Sequence, residues 1–131
     1  IENLKQKYSN RDFLIVGFGS VSGLLGRNLN NYYAAAKRSL ESHFESLNFD
    51  NLKNKLRIHF YTLGYLDTNL AFGKKLPLPK GNVVSLANIV YKNKNKKMIK
   101  KYFPFYWGII ALILKLTPLA IILKLKKLLE K

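Results

Sequence analysis

The spacing of three strand-like segments constrains this chain more than any other feature. Phe13-Leu14-Ile15-Val16 is a short continuous apolar run closed by Gly17, the pattern of a strand buried on both faces of a parallel sheet. Leu56 to Leu63, ended by Gly64, reads as a second strand, and Met98 to Phe103 as a third. Between the first two, Tyr32 to about Leu47 sets Ala34, Ala35, Ala36, Leu40, Phe44 and Leu47 near helical spacing. Between the last two, Val83 to Tyr91 reads as a helix. Strand, helix, strand, helix, strand predicts an α/β fold with a parallel sheet and right-handed crossovers.

The connections are less regular. Gly17 to Asn31, rich in Gly, Ser and Asn, reads as a loop, and Asn48 to Lys55 as a polar connector. Asp67 to Gly81 carries Gly73, Pro77 and Pro79 and reads as a long irregular connection, of a length usually tied to function. Lys92 to Lys97 is a charged turn. Ile1 to Tyr8 reads as the last turns of an amphipathic helix, with neither an initiator methionine nor a signal peptide, so the chain is expected to be the downstream part of a longer or processed protein.

Composition excludes several function classes. A chain of 131 residues, 48% hydrophobic, has room for one core. With no cysteine it has no disulfide framework, thiolate zinc site or thiol nucleophile. His43 and His59 lie 16 residues apart with few carboxylates near them, which argues against a transition-metal centre. The net charge of +16 points to an anionic partner. Scattered lysine alongside abundant asparagine is what an AT-rich coding sequence produces. That does not explain why Lys92 to Lys131 hold 11 basic residues against the single acid Glu130, a balance of +10.

Gly17-Phe18-Gly19-Ser20-Val21-Ser22-Gly23 follows a strand and superficially matches a dinucleotide fingerprint. That chemistry needs a helix N-terminus directly after the glycines, so that its amides meet the pyrophosphate. Gly26, Asn28, Asn30 and Asn31 postpone any helix to about Tyr32, and no acidic residue ends a second strand about 20 residues on. The motif is a decoy.

Tyr33 and Lys37 are four apart and share a helix face. A phenol, with an unperturbed pKa of about 10, is a poor base near neutrality. A neighbouring ammonium favours the phenolate and suits the pair to passing a proton to or from a substrate oxygen. The spacing alone is uninformative, since 8 tyrosines and 19 lysines produce about one such pair by chance. Its setting adds weight: Ser20 ends the first strand, and the second ends in Leu63-Gly64-Tyr65-Leu66-Asp67-Thr68. Both lie at the C-terminal edge, where open parallel sheets bind ligands. A hydroxyl, a phenol and an ammonium there fit carbonyl reduction or alcohol oxidation.

Strand, Gly19-Ser20-x-x-Gly23, Tyr33-Ala-Ala-Ala-Lys37 and Leu63-Gly64-x-x-x-Thr68 together resemble the second half of a short-chain dehydrogenase/reductase. The resemblance covers essentially the whole chain and implies the C-terminal half of a doubly wound, Rossmann-like domain using NAD or NADP. It implies that Ser20, Tyr33 and Lys37 are catalytic, that Lys37 also bonds the nicotinamide ribose, and that backbone around Leu63, Gly64 and Leu66, with the Thr68 hydroxyl, meets the carboxamide. The family usually has proline where this chain has Leu63 and serine where it has Gly19. Gly23-x-x-x-Arg27-x-x-Asn30-x-x-Tyr33 is similar to reductases acting on polyprenyl-phosphoryl ketopentoses, which makes Arg27 and Asn30 candidate contacts to a lipid-linked carbonyl substrate. The family's cofactor loop would precede Ile1, so this stretch alone is expected neither to bind dinucleotide well nor to turn over.

On this reading residues 1–101 are a partial Rossmann-like domain and residues 102–131 an apolar, basic, membrane-associating segment. Phe103, Phe105, Tyr106 and Trp107 precede an apolar stretch too short to span a bilayer, and Lys115 and Pro118 would fall mid-membrane. An aromatic belt with flanking lysines suits a segment lying on an anionic membrane, hence a cytoplasmic protein attached peripherally or monotopically. A core helix, a homo-oligomer interface and a true membrane span are the competing uses of the segment. The alternative function is a non-enzymatic basic module binding membrane or nucleic acid. Nucleic acid is disfavoured, because the aromatics sit in an apolar run and are not interleaved with arginine.

Overall fold

The computed structural model describes residues 12–25, 31–50, 56–68 and 78–129. Its elements are β1 (Leu14–Ser20), a 3-10 turn (Val21–Leu24), α1 (Asn31–Asp50), β2 (Arg57–Leu63), α2 (Val83–Asn93), β3 (Met98–Phe103), α3 (Tyr106–Leu116) and α4 (Leu119–Leu129). The strands form one parallel sheet in the order β1-β2-β3, with Leu14 opposite Arg57 and Ile58 opposite Met98. This is the α/β parallel sheet flanked by helices that the sequence predicts.

Side-chain alternation divides the core into two layers. On one face Ile58 and Phe60 of β2 pack with Phe44 and Leu47 of α1, with Ile15 and Leu40 against them. On the other, Tyr61 and Ile99 pack with Leu86 of α2, joined by Val16, Leu63, Ile89, Val90 and Phe103. Lys100 of β3 reaches across the first face to Glu41, at 2.8 Å, and to Glu45, fastening α1 to the far strand. Burial alone would pull the Lys100 pKa down, but the hydrogen bonds and charges of the two glutamates outweigh it, and the net shift is upward.

Two expectations are corrected here. The Gly17–Asn31 segment is not all loop, because β1 continues through Gly17 and Gly19 to Ser20. A Cβ on Gly17 would sit 2.5 Å from the Phe44 ring, and one on Gly19 2.6 Å from the Phe60 ring. These glycines let two aromatic side chains lie flat on the strand, so they serve packing and leave no room for a pyrophosphate. Nor can both crossovers be right-handed. The chain steps the same way across the sheet twice, with α1 on one face and α2 on the other, so the two connections have opposite hands. One is therefore left-handed, against the strong general preference.

The strand buried on both faces is not the first, as the Phe13-to-Val16 run predicts, but β2, whose residues Ile58 to Thr62 are all buried. β1 is only half covered. On its α2 side, Leu14 and Phe18 border an open apolar groove of about 630 Å³ that runs beside Val83, Leu86 and Val90.

Candidate active site

The C-terminal end of β1 is built by three local devices. Ser20 caps the 3-10 turn, its Oγ accepting the Ser22 N–H at 3.2 Å. A hydroxyl used once as an acceptor keeps its own proton, so Ser20 can still donate to a substrate oxygen. The turn then lies against α1: a Cβ on Gly23 would be 3.4 Å from the Arg38 backbone nitrogen and 3.6 Å from the Ala34 carbonyl oxygen. Arg38 donates back to the Gly23 carbonyl at 3.2 Å. The helix turn pressed on the segment after Ser20 is therefore the one that carries Tyr33 and Lys37.

Tyr33 and Lys37 meet as their spacing predicts, with Lys37 Nζ 5.7 Å from the Tyr33 ring centroid. Lys37 also donates to the Phe18 carbonyl at 3.1 Å, two residues before Ser20. That carbonyl points away from β2. Phe13 O accepts the Arg57 N–H, and carbonyl direction alternates along a strand. The ammonium thus lies at the open edge of β1 with two of its three N–H donors uncommitted among the described interactions. Tyr33 is about half exposed, at 49%. No hydrogen bond among the described residues joins Ser20 to Tyr33; the turn and helix bring them to one end of the strand without linking them directly.

The C-terminal end of β2 lies beside that of β1 in the sheet, with Leu63 opposite Ser20. Leu63 pairs with Phe103, and the Gly64 N–H bonds the Phe103 carbonyl at 2.8 Å. Leu66 forms a parallel bridge with Gly81. Around it the Gly81 N–H donates to Tyr65 O at 2.7 Å and the Asp67 N–H to Gly81 O at 2.9 Å. The two ends of the connection are clasped together, and Thr68 lies exposed just beyond. Arg27 and Asn30 fall outside the described residues.

Sequence reasoning missed what packs on this end of β2. Trp107, in the first turn of α3, packs against Gly64 so closely that a Cβ there would lie 1.9 Å from its indole nitrogen. The Tyr65 ring meets Trp107 edge-on at 5.5 Å, and the Tyr106 hydroxyl donates to the Pro79 carbonyl. Helix α3 is therefore rooted on both ends of the connection after β2. The available signal was a lone tryptophan and a strand-ending glycine, 43 residues apart.

These residues define an α/β protein with a polar cluster at the C-terminal edge of its parallel sheet. No protein-family model matches the chain, and no curated protein matches it.

Proposed function

We propose that the chain is the catalytic half of a nicotinamide-dependent oxidoreductase of the short-chain dehydrogenase/reductase kind, interconverting a carbonyl and an alcohol on a small or lipid-linked substrate. The observation that carries the reading is Lys37, which lies over the Tyr33 ring and at the same time reaches the end of the strand that Ser20 closes. The described residues fit the nicotinamide end of NAD or NADP. Lys37 has donors to spare for a ribose diol, and the backbone from Gly64 to Asp67 is held in place by Phe103 and Gly81. They do not fit the pyrophosphate, since Gly17 and Gly19 are covered by phenyl rings.

When bound, the cofactor supplies or accepts the hydride at the carbonyl carbon. The chain's own residues do the rest. Ser20 donates a hydrogen bond to the carbonyl oxygen, Tyr33 passes that oxygen its proton, and Lys37 places positive charge beside the phenol as the proton leaves.

The test is NAD(P)H oxidation by the full-length gene product over a panel of ketones, with Tyr33→Phe and Lys37→Ala. Tyr33→Phe is expected to lower kcat by about 100-fold or more, the range of a positioned general acid, with the circular dichroism spectrum unchanged. Transfer of saturation from the protein to nicotinamide protons is expected in both the parent and Tyr33→Phe, and to weaken in Lys37→Ala. Undiminished turnover in Tyr33→Phe would remove the assignment.

A further inference from the structure

Helix α3 carries two apolar stripes. The inner one, Trp107, Ile110, Ala111 and Leu114, turns toward the protein, with Trp107 and Ala111 buried and the other two half-buried. The outer one, Ile109, Leu112, Ile113 and Leu116, repeats the same helical spacing and is between 57% and 74% exposed. A surface helix normally reserves its second face for polar side chains. Here that face holds large aliphatic groups, and exposed Phe105 precedes it.

The surface continues past a break. Thr117 ends α3, its N–H and Oγ1 both donating to the Ile113 carbonyl, at 3.0 and 2.7 Å. Pro118 then opens α4 by accepting from the Ile121 and Ile122 N–H groups. Leu119 and Leu123, one turn apart on α4, are again exposed, with Ile121 exposed on the far side of that helix, and Lys115 and Lys124 are exposed as well. From Lys92 to Leu129 the sequence contains no aspartate or glutamate. Phe105 also stands at the rim of a recess of about 470 Å³ that Lys92, Lys96 and Lys101 line without a carboxylate.

We propose that the outer faces of α3 and α4 form an interfacial anchor lying in the plane of an anionic bilayer, the aliphatic side chains among the upper acyl chains and the lysines among the phosphates. Among the described residues no helix is long and apolar enough to cross a membrane. Each arm of 11 residues extends about 16 Å against a hydrocarbon core of about 30 Å. A large exposed apolar face bordered by cations is the signature of in-plane binding, and the anionic leaflet is the cytoplasmic one. A second copy of the chain would match the apolar stripes but would bring lysine against lysine with no carboxylate between them. The inference stands apart from the redox reading. Since Tyr106 and Trp107 grip the connection after β2, docking would hold the C-terminal sheet edge beside the membrane surface.

The experiment is flotation of the full chain with vesicles of phosphatidylglycerol and phosphatidylcholine or of phosphatidylcholine alone, comparing the parent with Leu112→Ser/Leu116→Ser, which leaves the charge unchanged at side chains 58% and 74% exposed. The parent is expected to float with the anionic vesicles and the double variant to bind about 30-fold more weakly, from two half-inserted leucines. A Leu116→Trp probe in a Trp107→Phe background is expected to be quenched most by shallow brominated lipid. Equal binding of parent and double variant would show adsorption by charge alone and overturn the proposal. So would strongest quenching at the bilayer centre, a concentration-dependent dimer that the double variant abolishes, or retention by DNA with no flotation.

Discussion

Replacing Gly64 with alanine tests how the end of β2 is held to α3. The added Cβ would lie 1.9 Å from Trp107 Nε1, 2.2 Å from Cδ1 and 2.7 Å from Cε2. Nonbonded heavy atoms settle near 3.5 Å, so the indole edge must retreat by roughly 1.5 Å. It has little room, being buried at 7% exposure with Tyr65 against it. Forcing a methyl into a packed site costs about 1–3 kcal/mol, and ejecting the indole altogether would cost about 3–5 kcal/mol. The expected loss is about 2 kcal/mol, or about 8 °C in Tm for a chain of this size. Trp107 is the only tryptophan, so its emission reports on the same event and is expected to move to the red. The decisive measurement is a double-mutant cycle by urea unfolding. In a Trp107→Ala background, Gly64→Ala should cost less than about 0.5 kcal/mol, because the atom it strikes is gone. An equal cost in both backgrounds, with unchanged emission in the single variant, would refute the contact.

Alkaline pH should find a common weakness. Burial raises the pKa of Tyr61, partly offset by Asn93, and raises that of Tyr102, to which Glu41 adds. Lys100 is raised as well, through Glu41 and Glu45 against its own desolvation. All three hold their protons more tightly folded than unfolded, so their contribution is intact below ordinary values of 10.0 and 10.5 and is lost as pH climbs through the raised ones. Urea melts between pH 8 and 12 should show stability falling above about pH 10; a level profile would contradict the shifts. Lys100→Met at pH 7 should cost about 1 kcal/mol or less, since the cluster is partly exposed, and 1 M NaCl should shrink the difference.

What was legible in the sequence was local. Val83 starts α2 because Asn82 caps it, accepting the Ser85 N–H at 3.0 Å, and this needs only four consecutive residues. The limits of β3 and the pairing of Tyr33 with Lys37 follow in the same way from the periods of strand and helix. What escaped depends on partners distant in the chain. Gly17 and Gly19 resemble a loop until Phe44 and Phe60 are laid upon them, and nothing near residue 17 announces those rings. The hand of the crossovers is equally invisible, because it depends on which face α2 chooses. The terminal segment reads as one apolar, basic stretch interrupted at Lys115 and Pro118, whereas the structure separates an inner stripe of α3 from an outer one.

The present role of Lys37 follows from the edge it occupies. Its ammonium satisfies the Phe18 carbonyl, one of the groups on β1 that face away from β2 and would otherwise rely on water. A strand pairing with that edge would offer the same carbonyl a backbone N–H, a partner requiring no side-chain ordering, and Lys37 would be released toward the C-terminal end of the sheet. Leu14 to Ser20 carry no charge that would discourage such pairing. The apolar groove beside Leu14 and Phe18 leaves the same strand uncovered on one face. Edge and groove therefore point the same way: a strand added at β1 would complete the sheet and, on the proposed redox reading, would add the Phe18 bond of Lys37 to the donors the lysine already has free.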